Sequence, residues 1–170
     1  DIDKCRDTMR KIGVLKRATI MGGEAMLNRQ LTDIIRLTRK HVTNDVCLVT
    51  NGILMNEQRA RQMAEAGLTE VAISVSSLEQ YQRRREAAMA CKSVIWNTRF
   101  NIPKCRESTG DKLVELLEHV LTDGFYCIVC EDLQGRYGDF DFQQKMNTVK
   151  IKDDGYGFYD YMWNGHQFGV

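Results

Sequence analysis

Apolar residues in this chain follow two rhythms in turn, one of period close to 3.6 and one of short unbroken runs. Residues 2–12 read as a helix stopped by Gly13, and 17–21 as a short apolar strand. Leu31, Ile34, Ile35 and Leu37 recur at helical spacing, which predicts a helix over 28–41. A strand at 46–50 closes on the turn-prone pair Asn51-Gly52, and an amphipathic helix over 56–66 stops at Gly67. Val71, Ile73 and Val75 form the next strand, and 78–90 is helical and basic at Arg83, Arg84 and Arg85. The stretch 93–101 is β-rich, 111–122 is a helix ended by Gly124, and 125–130 is a further strand. Strand and helix alternate five times, which predicts an α/β fold with parallel strands joined by helical crossovers. After Asp132 the pattern breaks into glycine- and aromatic-rich sequence, including "GRYGDFDFQQKMN" and "DDGYGFYDYMWNGHQFGV". Residues 1–132 are therefore expected to form a (β/α) core. Residues 133–170 are expected to form an irregular cap, a substrate lid or the start of a further region, with a turn at Asp153-Asp154-Gly155 between short strands.

Composition narrows the classes. Hydrophobic residues make up 43% and charged residues 28% of 170, so one domain with a sizeable core is expected rather than disorder. A formal net charge of +1 gives no long-range field toward nucleic acid. No apolar run approaches the roughly 20 residues that span a bilayer, and no signal peptide opens the chain. Six cysteines lie scattered among apolar segments, which reads as reduced thiols and a cytoplasmic location. The first residue is Asp1, which suggests a fragment or a processed start.

In parallel α/β folds, ligands sit beyond the carboxyl ends of the strands. After the first apolar strand here come Gly22, Gly23 and Glu24; after the second, Thr50, Asn51 and Gly52. The third ends in Ser74, Val75, Ser76 and Ser77, and the fourth carries Asn97 and Asn101. Adjacent glycines admit close backbone approach, and a carboxylate beside them can hold an ammonium group. Each motif alone is weak: Gly-Gly-Glu is more often a plain loop, Asn-Gly a common turn, and Ser77 a helix cap. Their order on one rim suits a small molecule bearing an amine, a carboxylate and hydroxyls.

The series "IMGGEAML", "CLVTNGILM", "EAGLTEVAISVSS" and "SVIWNTRFNI" resembles the core of radical S-adenosylmethionine (SAM) enzymes over roughly residues 1–130. The resemblance implies a partial (β/α)6-type barrel that binds SAM for reductive cleavage to a 5′-deoxyadenosyl radical at a [4Fe–4S] cluster. It assigns Gly22, Gly23 and Glu24 to the amino group of the methionine moiety and Ser74 and Ser76 to the ribose. Asn97 falls on the fifth strand's cofactor position, and Thr50 and Asn51 match the family's Thr-Asn-Gly turn. It also implies an external electron donor, no membrane and a small-molecule, peptide or nucleotide substrate.

Three positions depart from the family pattern. Ala25 replaces the proline after the glutamate, and Ser76 stands where an aspartate is frequent. The Cys-x3-Cys-x2-Cys loop of the cluster is absent, and Cys5 falls inside the first predicted helix. Cys127 and Cys130 have Cys-x2-Cys spacing within a strand, where their side chains face opposite sides. No metal ligands are therefore assigned within the chain; the first strand and cluster loop are expected upstream of Asp1. A second reading is a degenerate barrel without a cluster, acting as a nucleoside- or SAM-binding module. A third is a phosphate-binding barrel with Arg83–Arg85 as anion site, which "CEDLQGRYG" supports poorly as a phosphate loop. His41 reads as a helix-end cation, His119 as solvated, and His166 as a possible substrate contact in aromatic surroundings.

Overall fold

The computed structural model describes residues 2–130, 141–153 and 159–170. The phosphate-loop stretch after Cys130, the 132/133 division and the turn at Asp154-Gly155 lie outside the described residues. Two compact units emerge: one of residues 1–73 and 84–98, the other of 74–83 and 99–170.

In the first unit, helix α1 (Ile2–Ile12) leads into strand β1 (Leu15–Ile20). A single 3-10 turn (Ala25–Leu27) precedes α2 (Leu31–Arg39), which is followed by β2 (Val42–Thr50), α3 (Glu57–Glu65) and β3 (Glu70–Ser74). β1, β2 and β3 are parallel neighbours in that order, with Ile20 opposite Leu48 and Thr50 opposite Ile73. Ile35, Val46, Cys47, Leu48, Ala60 and Val71 are fully buried there. β1 begins two residues earlier and β2 four residues earlier than the apolar runs suggested. The added residues open on the pair Leu15 and Val42, opposite each other in the ladder, followed by polar Lys16 in β1 and Thr43 and Asn44 in β2. Among the described residues β2 is the strand neighbour of β1, which stands at the end of the strand order.

The second unit takes in the first turns of α4 (Leu78–Lys92), most of β4 (Asn97–Pro103), α5 (Asp111–Thr122) and β5 (Tyr126–Cys130). Ser77 caps α4 as the sequence suggested, its Oγ accepting the Gln80 N–H at 3.2 Å. β4 and β5 are parallel, with Arg99 opposite Tyr126 and Asn101 opposite Ile128. Burial alternates along β4, with Thr98, Phe100 and Ile102 inside and Arg99 and Asn101 half-exposed. The inside face meets α5, whose Leu113, Leu116, Leu117, Val120 and Leu121 are buried. Phe100 stands edge-on to both Tyr81 (5.1 Å) and Phe125 (5.2 Å).

Beyond β5 the structure is more regular than the sequence suggested. Helix α6 (Phe142–Met146) precedes β6 (Val149–Asp153), β7 (Tyr159–Trp163) and β8 (His166–Gly169). The order in this unit is β4-β5-β8-β7-β6; β8 is parallel to β5, while β7 is antiparallel to both β6 and β8. The aromatics that looked irregular are the glue of this extension: Phe142, Tyr161 and Phe168 pack with ring centroids 5.4–5.6 Å apart. Asn164 and Gly165, both at positive φ, make the two-residue β7–β8 turn.

Candidate functional site

The carboxyl ends of β1 and β2 meet through one carboxylate. Gly22 (φ +118°) and Gly23 (φ +51°) turn the chain after β1, and a Cβ at either would meet nothing within 4 Å. Their requirement is therefore conformational on the protein side, with open space above them. Glu24 follows, half-buried, and caps the 3-10 turn: its Oε1 accepts the Met26 N–H at 2.9 Å. The same oxygen accepts the Thr50 hydroxyl at 2.7 Å, and Oε2 accepts the Asn51 N–H at 2.8 Å. These bonds occupy three of the about four acceptor positions a carboxylate offers. Glu24 thus neither points to water nor stands free; it ties the glycine turn to the turn after β2.

That second turn is itself braced. Thr50, 3% exposed, accepts the Gly52 N–H at 3.1 Å, and Asn51 Oδ1 accepts the Ile53 N–H at 2.9 Å. Gly52, at φ +72°, has Ile73 Cγ2 2.9 Å and Arg84 Cδ 3.2 Å from where a Cβ would stand. Arg84 Nε donates to the Asn51 carbonyl at 3.1 Å. Arg84 belongs to the Arg83–Arg85 run, while Arg83 pairs with Glu79 on the exposed helix face. Sequence reasoning treated the run as one group; only its i,i+4 partner at Glu79 separates Arg83 from Arg84 in advance.

Asn97 is not on this rim. Residues 93–95 continue as turns off α4, with both the Val94 and Ile95 N–H groups bonded to the Cys91 carbonyl. β4 therefore starts at Asn97, whose N–H donates to the Thr69 carbonyl just before β3. The correction is one strand length: Asn97 lies at the amino end. Asn101 is the β4 asparagine whose carbonyl accepts the Val75 N–H beyond β3.

In the second unit, Ser74 ends β3 and Ser76 precedes α4. The Ser76 N–H and hydroxyl both donate to Gln80 Oε1, at 2.9 and 3.3 Å. Val75 between the serines is buried, so Ser74 and Ser76 share the opposite face.

The described residues contain no group of three or more His, Cys, Asp or Glu able to hold a metal ion. All six cysteines are free, and Cys127 is buried while Cys130 is exposed, as their odd spacing requires. Burial pushes the Cys91 thiol up to about 12, which marks it as core rather than ligand. His119 bonds its own helix at the Glu115 carbonyl, and His166 sits against Trp163 across the β7–β8 turn. A cavity of about 450 Å³ opens beside Met26, Arg29, Leu54, Arg59 and Met63, and none of the predicted site residues lines it. No helix among the described residues is long and apolar enough to cross a membrane.

The family model of the radical SAM superfamily matches residues 1–121. The chain belongs to the radical SAM superfamily. Among its relatives is a probable GTP 3′,8-cyclase of Methanococcus maripaludis, 33% identical over 88 residues, covering 52% of this chain and 29% of that protein. The GTP 3′,8-cyclase of Aquifex aeolicus is 24% identical over 155 residues, covering 83% of this chain and 48% of the relative. The chain thus spans about half or less of the length of the curated relatives it matches. The crystal structure of methylornithine synthase shares the fold, with a TM-score of 0.62 at 11% identity over 76% of this chain and 43% of that one.

Proposed function

We propose that this chain is the SAM-binding core of a radical SAM enzyme that acts on a nucleotide. The observation that carries it is Glu24, held beside two positive-φ glycines with open space above them. The donor set fits: Glu24 Oε2 keeps acceptor capacity for an ammonium, and Thr50 and Asn51 fix its direction. In the second unit, Ser74 and Ser76 would supply hydroxyls suited to a ribose. Bound SAM supplies the carbon–sulfur bond whose reductive cleavage starts the radical chemistry. Cluster ligands are not found among the described residues, and no step is assigned to a cluster here. The nucleotide substrate follows from the names of the relatives. An external electron donor and a cytoplasmic location complete the reading.

The test is SAM binding to the 170-residue chain by calorimetry. Wild type should bind, and Glu24→Gln should bind about tenfold to a hundredfold more weakly, the loss of one charge-assisted hydrogen bond. Equal affinities would return residues 22–24 to a plain turn. Anaerobic iron and sulfide should give no stoichiometric [4Fe–4S] cluster on these residues; a full cluster would overturn the ligand argument. The second reading is a cluster-less barrel acting as a nucleoside- or SAM-binding module. Formation of 5′-deoxyadenosine from SAM under dithionite, by protein purified from its source, decides for the enzyme.

A further inference from the structure

The cavity of the first unit is framed by the 3-10 turn and the starts of two helices. Glu24 fixes the turn 25–27 through the Met26 N–H at 2.9 Å, and α2 begins shortly after it. In α3, Ala60 and Met63 turn inward at i, i+3 spacing. Met26, Leu31 and Met63 are buried and line the cavity, so its floor is apolar. Arg29, just before α2, and Arg59, at the edge of the buried stripe of α3, line it too, and no acidic residue does. The carboxylates in the first turns of these helices are engaged elsewhere. Asp33, four residues after Arg29, pairs with Arg36 at 2.9 Å, and Glu57 pairs with Arg61 at 2.7 Å. Around Arg59 the i±3 and i±4 positions hold Met55, Asn56, Gln62 and Met63, so its own helix offers it no carboxylate. Its bond to Asn56 Oδ1 uses the backbone N–H. Among the described residues neither guanidinium has a hydrogen-bond or ion-pair partner, so all their donors are open.

We propose that this cavity is a binding site for a small aromatic anion, with Arg29 and Arg59 as its anion contacts and Met26 and Met63 as the bed for its ring. The cavity of about 450 Å³ falls within the roughly 300–1,000 Å³ usual for small-molecule sites. Thioethers make favourable contacts with aromatic rings and adapt to their shape. A guanidinium adds a plane that stacks on a ring and a fork that matches a carboxylate or a phosphate. Two like charges without a counter-charge repel each other, and an anion between them relieves that repulsion. Glu24, Thr50 and Asn51 do not line the cavity, so the site stands apart from the one proposed for SAM and does not depend on it.

The experiment is calorimetry of 1-naphthyl phosphate, 1-naphthoate, 1-naphthol and inorganic phosphate with the 170-residue chain. The phosphate ester should bind one-to-one and at least tenfold more tightly than 1-naphthol or inorganic phosphate, because it alone of the three meets both floor and arginines. Tighter binding of 1-naphthoate than of the ester supports a carboxylate ligand, and the reverse supports a phosphate ester. Arg59→Gln should weaken the ester at least tenfold and Arg29→Gln several-fold, with 1-naphthol unchanged. Neither arginine braces the fold, so both variants should keep the wild-type circular dichroism. Gln62→Trp narrows the mouth from the exposed face of α3 and should abolish binding of ester and naphthol alike, which keeps the site testable if an arginine variant fails to fold. Equal ester affinity in wild type and a folded Arg29→Gln/Arg59→Gln double variant overturns the proposal. So does a wild type that binds the ester no better than inorganic phosphate. Competition between the ester and SAM overturns it as well, since both would then share one site.

Discussion

Two glutamates in the first unit show how differently one side chain can be used. Glu70 opens β3 at the amino end, its side chain 4% exposed, and pairs with Arg17 of β1. Glu24 sits past the carboxyl end of β1, half-buried, and accepts two backbone N–H groups and a hydroxyl. The buried carboxylate is answered by a cation, so its neighbourhood is closed to further charge. The rim carboxylate is answered by neutral donors. On the reading proposed above, charge balance separates a structural glutamate from one available to a ligand.

The comparison can be broken by substitution, beginning with the largest expected effect. Glu70→Ala leaves Arg17 without its buried partner. It should cost about 3 kcal/mol of unfolding free energy in urea, the low end for a broken buried pair because Arg17 is half exposed. SAM affinity of the folded fraction should not change. Glu24→Gln places an amide NH2 against the Asn51 N–H or the Thr50 and Met26 donors, and should cost about 2 kcal/mol in addition to the binding loss. If Glu24→Gln proved more destabilising than Glu70→Ala, the assignment of structural and ligand roles would have to be exchanged. Thr50→Val removes the hydroxyl that joins Glu24 to the Gly52 N–H and should cost about 1 kcal/mol. Arg84→Gln loses one exposed contact to the Asn51 carbonyl and should lower the unfolding free energy by less than about 1 kcal/mol. A large loss of SAM affinity in Arg84→Gln with stability intact would move that arginine from brace to ligand contact.

The alternation of elements and the rim triplet at 22–24 were readable because both rest on local chemistry: periodicity, and glycines that must take positive φ. Asn97 was misplaced because "SVIWN" is β-branched and aromatic enough to read as strand, while the tertiary ladder starts where Thr69 offers its carbonyl. Arg84 and Asp160 were missed for another reason. Each acts on a residue more than thirty positions away, at Asn51 and Tyr126, and no local pattern records that partner. The extension after β5 was hidden by its pairing, since β8 joins β5 across a gap that only long-range packing bridges.

The strict alternation along β4 also sets which errors in the gene this protein can survive. Replacing Thr98 or Ile102 by a residue of similar size disturbs one contact. Deleting a single codon inside β4 is a different kind of event, because every later side chain then changes face. Upstream of the deletion nothing moves, but downstream Asn101 would be driven into the leucines of α5 while Ile102 would take its place among Tyr126 and Asp160. In a library of in-frame deletions, 97–103 should therefore be the emptiest window of the second unit, even where point substitutions at the same codons are common.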